Sequence, residues 1–449
     1  MNAAEHYLER RGQLPDGTVY LIRTPHDWNG ILIRDLDLVS GSADPVRTDR
    51  FQDMVHRGYA VAGTERHRLR QWQYDPVREI QNLDIVLDLF EAEWGKPRLV
   101  LQYGCSGGGH VALAVAEAFS ERIDGSIAKG THTPVWLMNT FLDGWLALKT
   151  LLTEYYVKAG FGDADDLRIT NLPNDGSANA NAHGMHGKLP DAWRNAFQAA
   201  HATQDGKARM ALAFAIGQWS PWLGFDSEEP DFDDADALQE SIFLSAMQMA
   251  QSPGGEARIM FENAAQGQQL SWNNDVDYRD YFSNAATAFK SAVEDLYDKS
   301  GLDLESDIAM INDSPRIEAS EHALAFWKQP GRNIYGDPKI PVLRLHMIGD
   351  YQVPYSLVQG YADALAANGK TGMARIAFVT STGHCNFLAS ESAAAIETMV
   401  ERIDTGEWPD TSPENLNVRA KSLISEQDAR FTALGPYAVQ RFNRTWLPH

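Results

Sequence analysis

Apolar and polar positions change rhythm twice along the chain. Over the first 130 residues, short β-rich runs alternate with stretches of helical spacing. TVYLIRTP (18–25) and GILIRDLDLV (30–39) read as strands joined through the turn-like DWNG. A helix-like stretch over 45–57 leads into the β-rich run GYAVAGTE (58–65). VREIQNLDIVLDLFEAEW (77–94) carries apolar residues three and four apart, and Gly95 and Pro97 end it. RLVLQYG (98–104) is a strand, GGHVALAVAEAF (108–119) a helix and SIAKG (126–130) the next strand. Strands alternating with helices in this way build a mostly parallel sheet.

From 132 to 335 the β-branched runs fade and helical periodicity takes over. WLALKTLLTEYYVKA, AWRNAFQAAHA, ALQESIFLSAMQMAQ and YFSNAATAFKSAVEDLY all read as helices, while NLPNDGSANANAHGMHG (171–187) is a loop and DSEEPDFDDADA (226–237) an acidic connector. The β/α rhythm resumes with the strand IPVLRLHMIGD (340–350), a helix over 357–368, the strand ARIAFVT (374–380) and a helix near 388–404. The tail from 405, with three prolines before 437, is expected to wrap the surface. The expected organisation is an α/β core (1–131), a helical insertion acting as a lid (132–335), and the rest of the core with the tail (336–449).

Chemistry enters at Gly104-Cys105-Ser106-Gly107-Gly108, which fits G-x-S-x-G. A serine on a tight turn from strand to helix presents its hydroxyl at the helix N-terminus, and small neighbours at minus two and plus two let strand and helix approach. RLVLQY precedes the motif and HVALAVAEAF follows it, the context a nucleophile elbow requires. The bland reading is a glycine-rich turn that binds phosphate or merely turns. A dinucleotide fingerprint lacks its spacing, and a P-loop lacks its lysine. Strand order and elbow together predict the α/β-hydrolase fold: a mostly parallel central sheet flanked by helices, with a large helical lid insertion.

In that fold the acid follows a late strand and the histidine the last one. Asp350 directly follows VLRLHMIG, and His384 lies in STGHCNF after ARIAFVT. An ordinary turn aspartate and a surface-loop histidine are the alternatives. His110 falls in the helix behind the serine, His132 follows the wrong strand and His346 lies within a strand, so each reads as structural. The expected chemistry is attack by Ser106 on an acyl carbonyl, with His384 as base and Asp350 fixing its tautomer, through an acyl-enzyme. The Gly107 amide supplies one oxyanion donor, and the second is expected from the loop after ILIRD, at Leu36 or Asp37.

The chain's two cysteines, Cys105 and Cys385, flank the proposed nucleophile and base. They become neighbours if the triad closes, as a disulfide or as two buried thiols. Cys105-Ser106, Asp350 and His384-Cys385 resemble the CS-D-HC pattern of the tannase and feruloyl esterase family, in which a disulfide joins the residues beside Ser and His. The resemblance implies a Cys105–Cys385 disulfide and hydrolysis of aromatic esters. It extends over TPHDWNGILI, RGYAVAGTE, KPRLVLQYGCSGGG, IPVLRLHMIGDYQVP and TGHCNF, about half of the chain. The stretch DLDLVSG departs from the His-Gly that often ends the family's oxyanion strand.

Composition narrows the partners. The chain has 449 residues, 44% hydrophobic, and 61 acidic against 39 basic residues give a formal charge of −22. So acidic a surface repels phosphate backbones and anionic lipid, leaving a small-molecule ester as the expected partner, with no nucleic acid and no membrane. No apolar run reaches the length of a membrane span, and MNAAEHYLERRG lacks the apolar stretch of a signal peptide. The cytoplasm is therefore expected unless a signal has been removed, with a disulfide favouring the periplasm or secretion. Trp72, Tyr74 and Trp136 are candidate substrate contacts; Trp145, Trp219, Trp222 and Trp272 could join an aromatic pocket, although tryptophans spaced through helices are commonly core. No cofactor or metal is expected: His183 and His186 lack a nearby carboxylate pattern, and the acidic run 226–237 lacks an EF-hand pattern. The functional expectation is a serine carboxylic-ester hydrolase, with an acyltransferase, a peptidase or amidase, and a non-catalytic relative as alternatives.

Overall fold

The alternation becomes a nine-stranded sheet in the computed structural model, which describes residues 6–39, 45–69, 73–172, 189–223, 227–255 and 257–447. The strands are β1 (Tyr7–Gln13), β2 (Val19–Pro25), β3 (Ile31–Asp35), β4 (Ala60–Thr64), β5 (Leu99–Cys105), β6 (Gly125–Lys129), β7 (Val342–Asp350), β8 (Ala374–Gly383) and β9 (Phe431–Thr432). They lie in the order β1-β2-β4-β3-β5-β6-β7-β8-β9. Neighbours from β4 through β8 are parallel, and the pairs β1–β2, β2–β4 and β8–β9 are antiparallel. Every residue of β5 and β7 is buried, as central strands covered on both faces require.

In the core, α1 (Pro45–His56), α2 (Pro76–Trp94) and α3 (Gly107–Ala118) follow β3, β4 and β5. Between β6 and β7 the described residues form nine helices: α4 (Pro134–Lys158), α5 (Leu189–His201), α6 (Gln204–Gly217), α7 (Ala235–Met249), α8 (Arg258–Ala264), α9 (Tyr278–Ser283), α10 (Thr287–Ser300), α11 (Leu304–Asn312) and α12 (Glu321–Trp327). Then α13 (Ser356–Ala367) joins β7 to β8, and α14 (Ala389–Thr405) and α15 (Pro413–Leu423) close the chain's helices. One sheet face packs on α1, α14 and α15 through Met54, Ile396, Met399 and Leu416, and the other on α2 and α3 through Leu83, Phe90, Val111 and Val115. No helix among the described residues is long and apolar enough to cross a membrane.

The expected strands and core helices appear with their ends moved by a few residues, and three differences have physical causes. The strand through ILIRD stops at Asp35, because the Asp35 carboxylate accepts the Asp37 N–H (2.8 Å) and turns the chain. The polar N-terminus forms β1, an exposed edge strand whose charged residues pair outward, Glu9 with Arg23 and Arg10 with Glu93. The tail does more than wrap the surface. Its β9 extends the sheet beside β8, and beyond it Phe442 and Arg444 are buried against the insertion.

That last contact is an ion pair. Asp143 of α4 faces Arg444 at 2.6 and 3.2 Å, with both side chains almost fully buried. The Tyr278 hydroxyl donates to the same carboxylate (3.1 Å), and Arg444 also donates to the Trp272 carbonyl. Burial pushes the Asp143 carboxyl up and Arg444 pulls it back, so losing the arginine strands a buried charge. Arg444→Ala should therefore cost about 3–5 kcal/mol in urea unfolding, whereas Asp143→Leu/Arg444→Met should recover a large part of it. A single-variant loss below about 1 kcal/mol, the range of exposed pairs, would show that the pair does not anchor the tail.

Candidate active site

The elbow is built by glycine at positions where a side chain cannot fit. Ser106 adopts φ 58°, ψ −123° at the junction of β5 and α3, a conformation that L-residues seldom hold without support. The support is local. The Ser106 N–H donates to the Lys129 carbonyl (3.0 Å), and the Ser106 carbonyl accepts the Thr131 hydroxyl (2.6 Å) and the His110 N–H (2.9 Å). Arg344, buried in β7, donates to the Thr131 carbonyl and holds that strut from behind. A Cβ at Gly104 would lie 2.4 Å from the Gly108 carbonyl, and one at Gly109 2.7 Å from the Lys129 carbonyl oxygen. Gly108 itself has ordinary room, 3.4 Å to Asp37 and 3.7 Å to Leu36. The tight positions are thus minus two and plus three, rather than minus two and plus two.

Asp350 ends β7 and Gly383 ends β8, and the two are partners in register, so His384 emerges beside the carboxylate. His384 Nδ1 lies 2.9 and 3.0 Å from the two Asp350 oxygens. Asp350 also accepts the Gln352 and Val353 amides (2.9 and 3.0 Å), and its side chain is fully buried. The His384 Nε2 is buried and has no hydrogen-bond partner among the described residues, so its bond to Ser106 is not made in this conformation. Free-enzyme hydrogen bonds of this kind are commonly long and tighten with substrate.

Chain connectivity holds the two halves together. Cys105 and Cys385 form a disulfide across 280 residues, with their α-carbons 6.0 Å apart. Each is the immediate neighbour of a proposed catalytic residue. Gly130 fills the space between: a Cβ there would lie 3.1 Å from an Asp350 carboxylate oxygen and 3.3 Å from the Cys105 sulfur.

The other histidines have different occupations. His346 Nε2 donates to the Val353 carbonyl (2.9 Å), and burial pushes its pKa down to about 4. Burial also lowers His132, and His110 shares a 2.8 Å hydrogen bond with the Tyr74 hydroxyl.

The remaining expectations divide. The Gly107 N–H stands at the first turn of α3, free of an intrahelical acceptor by position. The Leu36–Asp37 turn lies beside the elbow as expected, but the Asp37 N–H is already spent on Asp35. Asp37, expected as an oxyanion donor, has its amide engaged within its own turn. Tyr74 is buried against His110, Phe261 and Trp327 behind the elbow. Trp136 is 1% exposed and lies between His132 and Phe442 (ring centroids 4.6 and 5.9 Å), which makes it core rather than pocket wall. Trp145 and Trp219 are likewise buried within the insertion. Trp72, His183 and His186 lie outside the described residues.

Sequence reasoning missed Arg66. It follows β4 and grips the Asp37 carboxylate at 2.5 and 3.1 Å, keeping a cation beside the elbow, with its side chain 30% exposed. Its signal was position: a charged run, ERHR, directly beyond the carboxyl end of a parallel strand, where ligand contacts gather.

This sheet, with an elbow serine between β5 and α3 and a histidine after β8, defines an α/β-hydrolase, a hydrolytic enzyme. The chain is 61% identical over 442 residues, 98% of its length and 97% of the other's, to an o-phthalyl amidase from Xanthobacter agilis, and it belongs to that enzyme's family. No family model matches. Among solved structures, feruloyl esterase B from Aspergillus oryzae aligns at 14% identity and TM-score 0.41 over 90% of this chain and 82% of that one. Candida antarctica lipase A aligns at 14% identity and TM-score 0.38 over 92% and 84%.

Two measurements probe this architecture. Reduction of the disulfide, or Cys105→Ala/Cys385→Ala, should lower stability by about 2–5 kcal/mol and depress turnover more than ground-state binding, because the histidine loop is untied from the elbow. Unchanged melting and turnover in reductant would show that the link is dispensable. Gly104→Ala should abolish soluble, active protein, whereas Gly108→Ala should fold and melt within a few degrees of wild type; equal damage from both would refute the assigned clearances.

Proposed function

We propose that this enzyme is a serine amidase that releases acyl groups of the o-phthalyl type from amines through an acyl-enzyme. The observation that carries the chemistry is His384 Nδ1 at 2.9 Å from buried Asp350, on the loop covalently tied to the Ser106 elbow. The 61% identity to an o-phthalyl amidase over nearly the whole chain supports the substrate class.

In this reading His384 Nε2 takes the Ser106 proton as Oγ attacks the amide carbonyl. Asp350, fixed by two backbone amides, holds the imidazole with Nε2 directed at the serine and stabilises the imidazolium. The Gly107 N–H and a donor from the Leu36 turn receive the oxyanion. The proton on His384 then passes to the leaving nitrogen, the C–N bond breaks, and the amine departs. Water, deprotonated by the same imidazole, cleaves the acyl-serine ester. An o-phthalyl group carries a carboxylate next to the scissile carbonyl, and in this reading Arg66, while paired with Asp37, receives it.

The Cys105–Cys385 disulfide favours a second reading on the same triad, hydrolysis of aromatic esters of the feruloyl kind. Purified enzyme should be given an N-(2-carboxybenzoyl) amino acid and methyl ferulate in parallel, with amine and alcohol release followed. The amide should be the better substrate by kcat/KM, and preference for the ferulate would establish the ester reading. Ser106→Ala should lose about a thousandfold or more in kcat, and Asp350→Asn about as much. Undiminished turnover by Ser106→Ala would end both readings.

A further inference from the structure

A cavity of about 610 Å³ opens within the helical insertion, bounded by α4, the segment 165–171 and the segment 314–317 that follows α11. Volumes of this size are ordinary for small-ligand sites. None of Ser106, Asp350 and His384 lines it, and Lys149 lies fifteen residues along α4 from Pro134, about 22 Å at ~1.5 Å per residue.

Three cations line it, Lys149, Arg168 and Arg316, against one carboxylate, Asp165. In a chain of charge −22 that balance is locally inverted. Lys149 and Arg168 make no ion pair among the described residues, although acidic residues outnumber basic ones across the chain. Lys149 is half-buried, and its desolvation lowers its pKa, with Asp165 opposing and Arg168 adding to the effect. Arg316 is preorganised: it donates to the Asn273 and Asn312 carbonyls (3.1 and 2.7 Å) and its guanidinium lies 5.6 Å from the Tyr278 ring. Leu146, Ile169 and Ile317 supply an apolar wall, and the Thr150 and Ser314 hydroxyls, 2.7 Å apart, a polar edge.

We propose that this cavity binds a small organic carboxylate, its anionic group on Lys149 and Arg168 and its apolar body against the aliphatic wall. The site stands on its own charges and shape, independently of the chemistry assigned to Ser106. Its ligand class is set by the combination of the two surfaces: inorganic anions would use only the cations.

Titration calorimetry with benzoate on the full-length protein, with acetate and inorganic phosphate as comparison probes, tests it. Wild type should bind benzoate at least tenfold more tightly than acetate or phosphate at this site. Lys149→Gln/Arg168→Gln should lose at least tenfold in benzoate affinity with basal turnover unchanged, and Lys149→Arg should keep it. Because Arg168 is exposed, Arg168→Glu alone guards against misfolding and should also weaken binding. Equal binding of benzoate by wild type and the double variant, no benzoate binding by wild type, or phosphate binding as well as benzoate would each overturn the proposal.

Discussion

The polymer between Cys105 and Cys385 is closed where two strand ends meet, and the candidate site depends on that closure. Parallel pairing alone puts β5 and β8 in one sheet but separates them by β6 and β7. The side chains that must cooperate project from the carboxyl ends of nonadjacent strands. The disulfide crosses that gap, and Gly130, at the end of β6, is the residue small enough to let it pass beside Asp350. A side chain there would crowd both the carboxylate and the sulfur. Glycine content at this sheet edge is therefore a packing requirement of the crossing as well as of the elbow.

The insertion is bound into the core rather than hinged on it. Its apolar cluster is continuous with Ile348 and Val353 near the end of β7, with Leu357 of α13 and with Tyr437 and Phe442 of the tail. The Trp222 carbonyl lies against Gly349, where a Cβ would approach it to 2.5 Å, so the insertion touches the turn that carries Asp350. Arg444 joins tail to α4 from the opposite end of the sequence. Burying that pair has a large desolvation cost, and hydrophobic residues of equal volume could fill the space. What the pair adds is register: it specifies where the tail must lie.

Much of this was legible in the sequence, and the exceptions share a cause. β5, α3, β7 and α14 announce themselves because burial on both faces, or on one helical stripe, leaves long apolar runs. The meeting of Asp350 with His384 was legible because the fold fixes where after each strand they fall. β1 was missed because an edge strand exposed on both faces has no alternation to show. The end of β3 was misplaced because LDLV is apolar enough to continue a strand, and only the Asp35 side chain decides that it turns. Trp136 was assigned to a pocket because aromatic periodicity marks a buried face without saying what covers it; Phe442, some 300 residues away, does. Arg66 was overlooked because a charged run reads as solvated until Asp37 is seen across from it.

Two of those misses, the turn after β3 and Arg66, fall where the proposed reading puts substrate choice. A nucleophile, an imidazole and a buried carboxylate serve esters and amides alike, and the amide adds chiefly the need to protonate a poor leaving group. The strand ends that carry Ser106, Asp350 and His384 are held firmly: Asp350 accepts from two backbone amides as well as from His384, and Ser106 is held by three hydrogen bonds on its own backbone. On the proposed amidase reading, discrimination comes from groups around that frame: the Leu36–Asp37 turn, Arg66 and the insertion surface above Asp350. These are loop and helix positions whose partners are distant in sequence. The catalytic class can be read from local motifs because it is local chemistry; the substrate contacts of the proposed reading cannot, because they are assembled only when β3, β4 and the insertion meet.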